Sequence, residues 1–95
     1  MRFDGFDWDT GNSAKCQAHG MTLDEVESVF FGVPLVGPDP FDAGTEARWR
    51  AIGRTEGGRA AFVVFTFREV GGERLIRPIS ARYMHTKERR RYEQG

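Results

Sequence analysis

Ser80, Arg82 and His85 lie within the stretch from Glu73 to Tyr92, where an apolar strand pattern gives way to a strongly basic helical one. A hydroxyl, a permanently charged guanidinium and an imidazole at the end of a strand can hold a phosphodiester and move a proton beside it. RNA carries its own nucleophile in the 2′-hydroxyl. Such a site therefore need only position the backbone, take that hydroxyl's proton, neutralise charge on the phosphorane oxygens and protonate the leaving oxygen. Arg82, with Arg48 and Arg50, is the candidate phosphate anchor; His85, His19 and Lys87 are the candidate proton carriers. Trp49 and Tyr83 are candidates for stacking a base, although Trp49 also suits the core. The plain alternative is an amphipathic edge strand followed by a solvated charged helix.

Other chemistries find no support in the spacing. The two histidines are far apart, and Cys16 with His19 is an isolated pair without the further ligands of a zinc site. No Walker-type glycine loop, Rossmann fingerprint or nucleophile elbow is present, so no metal and no nucleotide cofactor is expected. The zero net charge hides a separation. Residues 1–47 hold two basic side chains, Arg2 and Lys15, against nine acidic ones, and residues 48–95 hold twelve against five. The halves are thus −7 and +7, which points to a polyanion or an acidic partner for the second half, or else to neutralisation across the fold. Ninety-five residues fit one domain, 1–95, with a small core. No apolar run approaches the roughly 20 residues of a membrane span, the start Met1-Arg2-Phe3-Asp4 lacks a signal segment, and Cys16 is the single cysteine. A soluble protein of a reducing cytoplasm is expected.

The elements that must position these residues follow from local patterns. Phe3, Phe6 and Trp8 suggest a short strand or extended segment, and Asp9 can cap a helix over Thr10 to Ala18 that Gly20 closes. Gly11, Asn12 and Ser13 weaken its first turns, and His19 at its end can cap carbonyls as readily as transfer protons. Thr22 and Glu25 form a capping box, predicting a helix over 23–31 that buries Leu23, Val26, Val29 and Phe30 and stops at Gly32. Three prolines and two glycines make 33–45 a loop and a natural flap, with room for a short edge strand at Leu35 and Val36.

A meander of strands follows at 46–54, 60–67 and 74–83, turned by Glu56-Gly57-Gly58 and by Gly71-Gly72. Pro78 has no amide donor, so the last strand should be an edge or have that position unpaired. Thr86 can cap a final helix to about Glu93 that spreads Lys87, Arg89, Arg90 and Arg91 around it as an RNA-backbone footprint. The expected class is α+β: a mainly antiparallel sheet, built from the meander plus short N-terminal strands, with two N-terminal helices and one C-terminal helix.

Register decides which cations meet. If both hairpin loops have the same parity, residues 48 and 50 share a face with 76, 78, 80 and 82, and Arg48, Arg50, Ser80 and Arg82 line one surface. If one loop is a residue longer, Arg77 replaces Ser80 and Arg82. The outer strands flank the central one about 10 Å apart, within reach of two arginines onto one phosphate and its neighbour.

In order and spacing, several stretches resemble the BrnT family, the ribonuclease toxins of BrnT/BrnA type II toxin–antitoxin modules. They are Trp8-Asp9, His19-Gly20 followed by a capped acidic helix, Arg48 to Gly53, the apolar strand to Phe67, and Ile76-Arg77-Pro78-Ile79-Ser80-Ala81-Arg82 leading to Glu88 and Tyr92. The resemblance spans essentially the whole chain. It implies a fold similar to RelE-type toxins, cleavage of cellular RNA with inhibition of translation, and neutralisation by a BrnA-like ribbon-helix-helix antitoxin. DNA would be reached only through that antitoxin, and no membrane partner is implied. The family's Ser-Ala-Arg segment maps onto Ser80, Ala81 and Arg82, and its His-Gly pair onto His19 and Gly20. Family members commonly carry a lysine shortly after the Trp-Asp pair and another just before the His-Gly pair. Here those places hold Gly11 or Asn12 and Ala18, with Lys15 nearby, a departure that bears on catalysis rather than on fold.

The expected activity is a metal-independent endoribonuclease, with Arg82, His85, Arg48 and His19 in catalysis. Arg50, Ser80, Arg77, Lys87, Arg89 and Arg90 would bind RNA. The competing class is a basic module that grips an acidic antitoxin segment or nucleic acid without cutting it.

Overall fold

The computed structural model describes residues 1–40 and 46–94, so part of the expected 33–45 flap lies outside the described residues. The elements in order are β1 (Gly5–Phe6), α1 (Thr10–Gln17), α2 (Leu23–Phe31), β2 (Leu35–Pro38), β3 (Trp49–Arg54), β4 (Ala60–Val70), β5 (Glu73–Tyr83) and α3 (Thr86–Gln94). The strands form one sheet in the order β1-β5-β4-β3-β2, antiparallel except that β1 runs parallel to β5. Over the described residues the class is α+β with three helices and a mixed, mostly antiparallel, five-stranded sheet. Among the described residues no helix is long and apolar enough to cross a membrane.

Local chemistry explains the helix starts. In α2, Thr22 and Glu25 cap each other's backbone amides reciprocally, and the helix occupies the predicted 23–31. In α1, Asp9 caps the Asn12 amide while the Asn12 carboxamide caps the Asp9 amide. Asn12, expected to weaken this helix, strengthens it. Its buried side-chain nitrogen also donates to the carbonyls of Asp7 and Pro78, tying the helix start to β5. The chain leaves α1 through Gly20 at φ 94°, a conformation in which a side chain would be strained.

The core lies on the sheet face covered by α1 and α2. Val26, Val29 and Phe30 of α2 and Cys16 of α1 meet Ala51, Ala61, Val63, Phe65, Ile76 and Ala81 from the three long strands. Burial raises the Cys16 thiol to about 11, so it stays protonated and behaves as a small apolar side chain.

Register departs from both alternatives drawn from sequence. Five residues, 55–59, separate the paired Arg54 and Ala60, whereas only Gly71 and Gly72, both with positive φ, separate Val70 from Glu73. Loops of 5 and 2 residues differ in parity, which taken alone would put Arg77 on the face of Arg50 and send Ser80 and Arg82 into the core. A bulge intervenes: Phe65 pairs with Pro78 but Val64 pairs with Ser80, leaving Ile79 as the extra residue. Arg77 (opposite Thr66), Ser80 (opposite Val64) and Arg82 (opposite Phe62) therefore all lie on the face of Arg50, while Ile76 and Pro78 face the core. The bulge falls at the proline, whose missing amide cannot serve the ladder. Nor is β5 an edge along its whole length, because β1 pairs with Leu75 and Ile76.

Candidate active site

Ladder pairing places Arg50 opposite Val64 and Val64 opposite Ser80, and one step along places Ile52, Phe62 and Arg82 in a row. Phe62 thus stands between two arginines. The guanidinium carbon of Arg50 lies 4.8 Å from its ring centroid and that of Arg82 lies 4.9 Å away, both in cation–π range. Three hollows meet at Arg82. One, of about 310 Å³, is lined by His19, Tyr83 and His85 together with Arg82. A second, of about 340 Å³, brings Lys15 of α1 and Arg48 to the sheet residues Arg50, Ser80 and Arg82. The third, of about 440 Å³, lies between the sheet and α3.

Glu88 organises the centre of this arrangement. Its two carboxylate oxygens accept from Nη1 and Nη2 of Arg82 at 2.7 and 2.9 Å, and the Oε1 oxygen also accepts the His85 backbone amide at 3.0 Å. The hydrogen bonds from Arg82 are the largest cause of a Glu88 carboxyl drawn down to about 2, and the same bonds raise Arg82. His85, rather than the expected Thr86, therefore caps α3: Thr86 is the first helical residue, and the His85 carbonyl accepts from Arg89 N. No residue of α3 is buried, and ion pairs from Arg82 to Glu88 and from Arg54 to Glu93 tie it to the sheet.

The other expected cations divide. Arg50 pairs with Asp39 at 3.7 Å, and its Nε is a buried nitrogen without a hydrogen-bond partner. Arg77 lies on the right face but is held by Asp7 and Asp9 at 3.3 and 2.8 Å, which raises it and helps, after the Asn12 amide, to lower Asp9. Arg77 is thus committed to carboxylates of the acidic half and stands apart from the Arg50–Arg82 cleft. On α3, Lys87 lines the hollow between the sheet and α3, Arg89 faces Glu93, and Arg90 is exposed. Neither expected stacking ring is open to a base. Trp49 packs on the core beside Phe67, and Tyr83 carries the Arg59 guanidinium 3.4 Å over its ring while donating its hydroxyl to Glu25. That hydrogen bond is the first cause of the raised Tyr83 and of the lowered Glu25.

Sequence attaches no site role to Lys15, Phe62 or Glu88. Glu88 had a legible signal, the three-residue spacing from His85 that marks a cap. Lys15 and Phe62 had none, since only the packing of α1 beside β5 and the strand register bring them in.

Among the described residues no group of three or more His, Cys, Asp and Glu could hold a metal ion. In comparisons with known proteins, no curated protein matches the chain. A model of the family described as the ribonuclease toxin, BrnT, of type II toxin–antitoxin systems matches residues 8–88, a span that takes in every long strand, α1, α2 and the Arg82–Glu88 clamp. On that match the chain belongs to the BrnT family of ribonuclease toxins.

Proposed function

We propose that this chain is a cytoplasmic endoribonuclease toxin that needs no metal ion, acting as a single domain related in fold to RelE-type toxins. In this reading Lys15, Arg48, Arg50 and Ser80 hold the RNA backbone, and Arg82 takes the phosphate at the scissile bond. Glu88 occupies two of the five N–H donors of Arg82, so donors remain for phosphate oxygens. One histidine of the His19–His85 pair accepts the 2′-hydroxyl proton as its oxygen attacks phosphorus. The other protonates the departing 5′-oxygen, leaving a 2′,3′-cyclic phosphate. The arginines neutralise charge on the phosphorane. The observation that carries this reading is that His19 and His85, 66 residues apart in the chain, line one hollow with Arg82.

Family membership implies an antitoxin partner and an RNA substrate. We propose a BrnA-like ribbon-helix-helix protein as that partner, with DNA contacted only through it. The test is incubation of purified chain with RNA in chelator. Cleavage to cyclic phosphate ends is expected, and it should be lost when both His19 and His85 are replaced by Ala. Binding without cleavage would support the rival module, which draws on the clamp between Arg82 and Glu88.

A further inference from the structure

We infer that the hollow between the sheet and α3 is a nucleobase pocket that selects guanine or uracil next to the phosphodiester at Arg82. The inference rests on the RNA-cleavage reading and adds a substrate preference to it. The hollow, about 440 Å³, is of ligand-pocket size, and it shares Arg82 with the histidine-lined hollow. A nucleotide whose phosphate lies at Arg82 therefore has its base beside this opening.

The walls suit a flat ring. Ile52, Phe62 and Met84 supply apolar surface, Tyr92 supplies an aromatic wall from α3, and the Arg50 and Arg82 guanidiniums lie over Phe62 as planes on which a base can stack. The edges supply the selection. Arg50, Lys87 and Arg91 are donors only. Glu88, the one carboxylate among the described residues of the lining, is already engaged by Arg82 and the His85 amide. A base presenting a carbonyl oxygen on this edge, O6 of guanine beside its N7 or O4 of uracil, meets these donors. The exocyclic amino groups of adenine and cytosine meet few acceptors.

The experiment uses the full chain and short RNAs with one cleavable bond, the flanking nucleotides varied through guanine, inosine, uracil, adenine, 2-aminopurine, cytosine and an abasic ribose. Single-turnover rates should fall about tenfold at one flanking position for the abasic, adenine, 2-aminopurine and cytosine substrates, the scale of one polar group left unpaired. Inosine, which keeps O6 and N7, should behave as guanine. Ile52→Trp, which fills the pocket from its floor, should erase the preference, so that guanine, uracil, adenine, cytosine and abasic substrates are cleaved at one common rate. Equal rates for every base, or a preference that survives in a folded Ile52→Trp chain, would overturn the pocket. If the wild-type chain cuts none of these RNAs, the cleavage reading has failed. The pocket is then judged by binding of the same series carrying a 2′-deoxyribose at the cleavable bond. Tighter binding of the guanine and uracil members that Ile52→Trp removes upholds the pocket, and equal binding overturns it.

Discussion

A single carboxylate holds two site residues in place at once. Glu88 grips the fork of Arg82 and the backbone amide of His85, so it positions the proposed phosphate anchor and a proposed proton carrier together. Its folded carboxyl titrates at about 2 against an ordinary value near 4.5, so the stability it contributes is fully present above pH 4.5 and is lost as pH falls toward 2. The carboxylate is more than a third exposed, which keeps that contribution within the small range of screened ion pairs. Thermal midpoints of wild type and Glu88→Gln, measured across pH, should differ at pH 6, converge between pH 4.5 and 2, and coincide below that. A constant difference would mean the effect is not titration of Glu88. Cleavage by Glu88→Gln at neutral pH should fall by about tenfold to a hundredfold, because Arg82 loses its fixed geometry. Arg82→Ala should abolish toxicity, and because it also releases α3 it should lower the thermal midpoint rather than leave it unchanged.

At the scale of elements, the caps carry more than propensity. Asn12→Ala removes half of a reciprocal cap and leaves the Asp7 and Pro78 carbonyls without their buried donor. A loss of about 2–3 kcal/mol in urea unfolding is expected from a cap plus an unpaired buried group. A loss under about 0.5 kcal/mol would mean that water replaces the carboxamide. In β3, Gly53 is buried where an added Cβ would come within 3.3–3.4 Å of Pro34 and Val29. Gly53→Ala should therefore cost about 1–2 kcal/mol by forcing α2 and the entry to β2 away from the sheet. An unchanged unfolding midpoint would show that Pro34 gives way freely.

At the scale of the molecule, the +7 excess of the second half is only partly available to RNA. Arg77 and Arg68 are spent on Asp7, Asp9 and Glu46 of the acidic half, while Lys15 from that half joins the cleft. If Lys15, Arg48, Arg50 and Arg82 carry the contacts, the logarithm of RNA affinity should fall against log salt with a slope of about −2 to −3. Arg90→Ala should barely change that slope, whereas Lys15→Ala should reduce it by roughly one phosphate's share. A steeper slope that depends on Arg89 and Arg90 would move the RNA path onto the outer side of α3.

Local signals fixed much of this protein in advance. The capping box of α2, the Asp9 cap of α1, the paired glycines at 71 and 72 and the apolar run from Ala60 were legible because each depends on neighbours within a few residues. The same locality revealed α2 to its last residue and the strand alternation of Arg48, Arg50 and Ile52. The meeting of Arg48, Arg50, Ser80 and Arg82 on one surface was expected from loops of like parity and is found, but by another route. The loops differ in parity and a bulge at Ile79 reconciles them, which was not legible because a one-residue shift moves every side chain to the other face. Pairing of Arg77 with Asp7 and Asp9 and the entry of Lys15 likewise depend on how separate elements dock. Contacts between residues distant in the chain are set by packing, and packing is decided only when the sheet closes around its core.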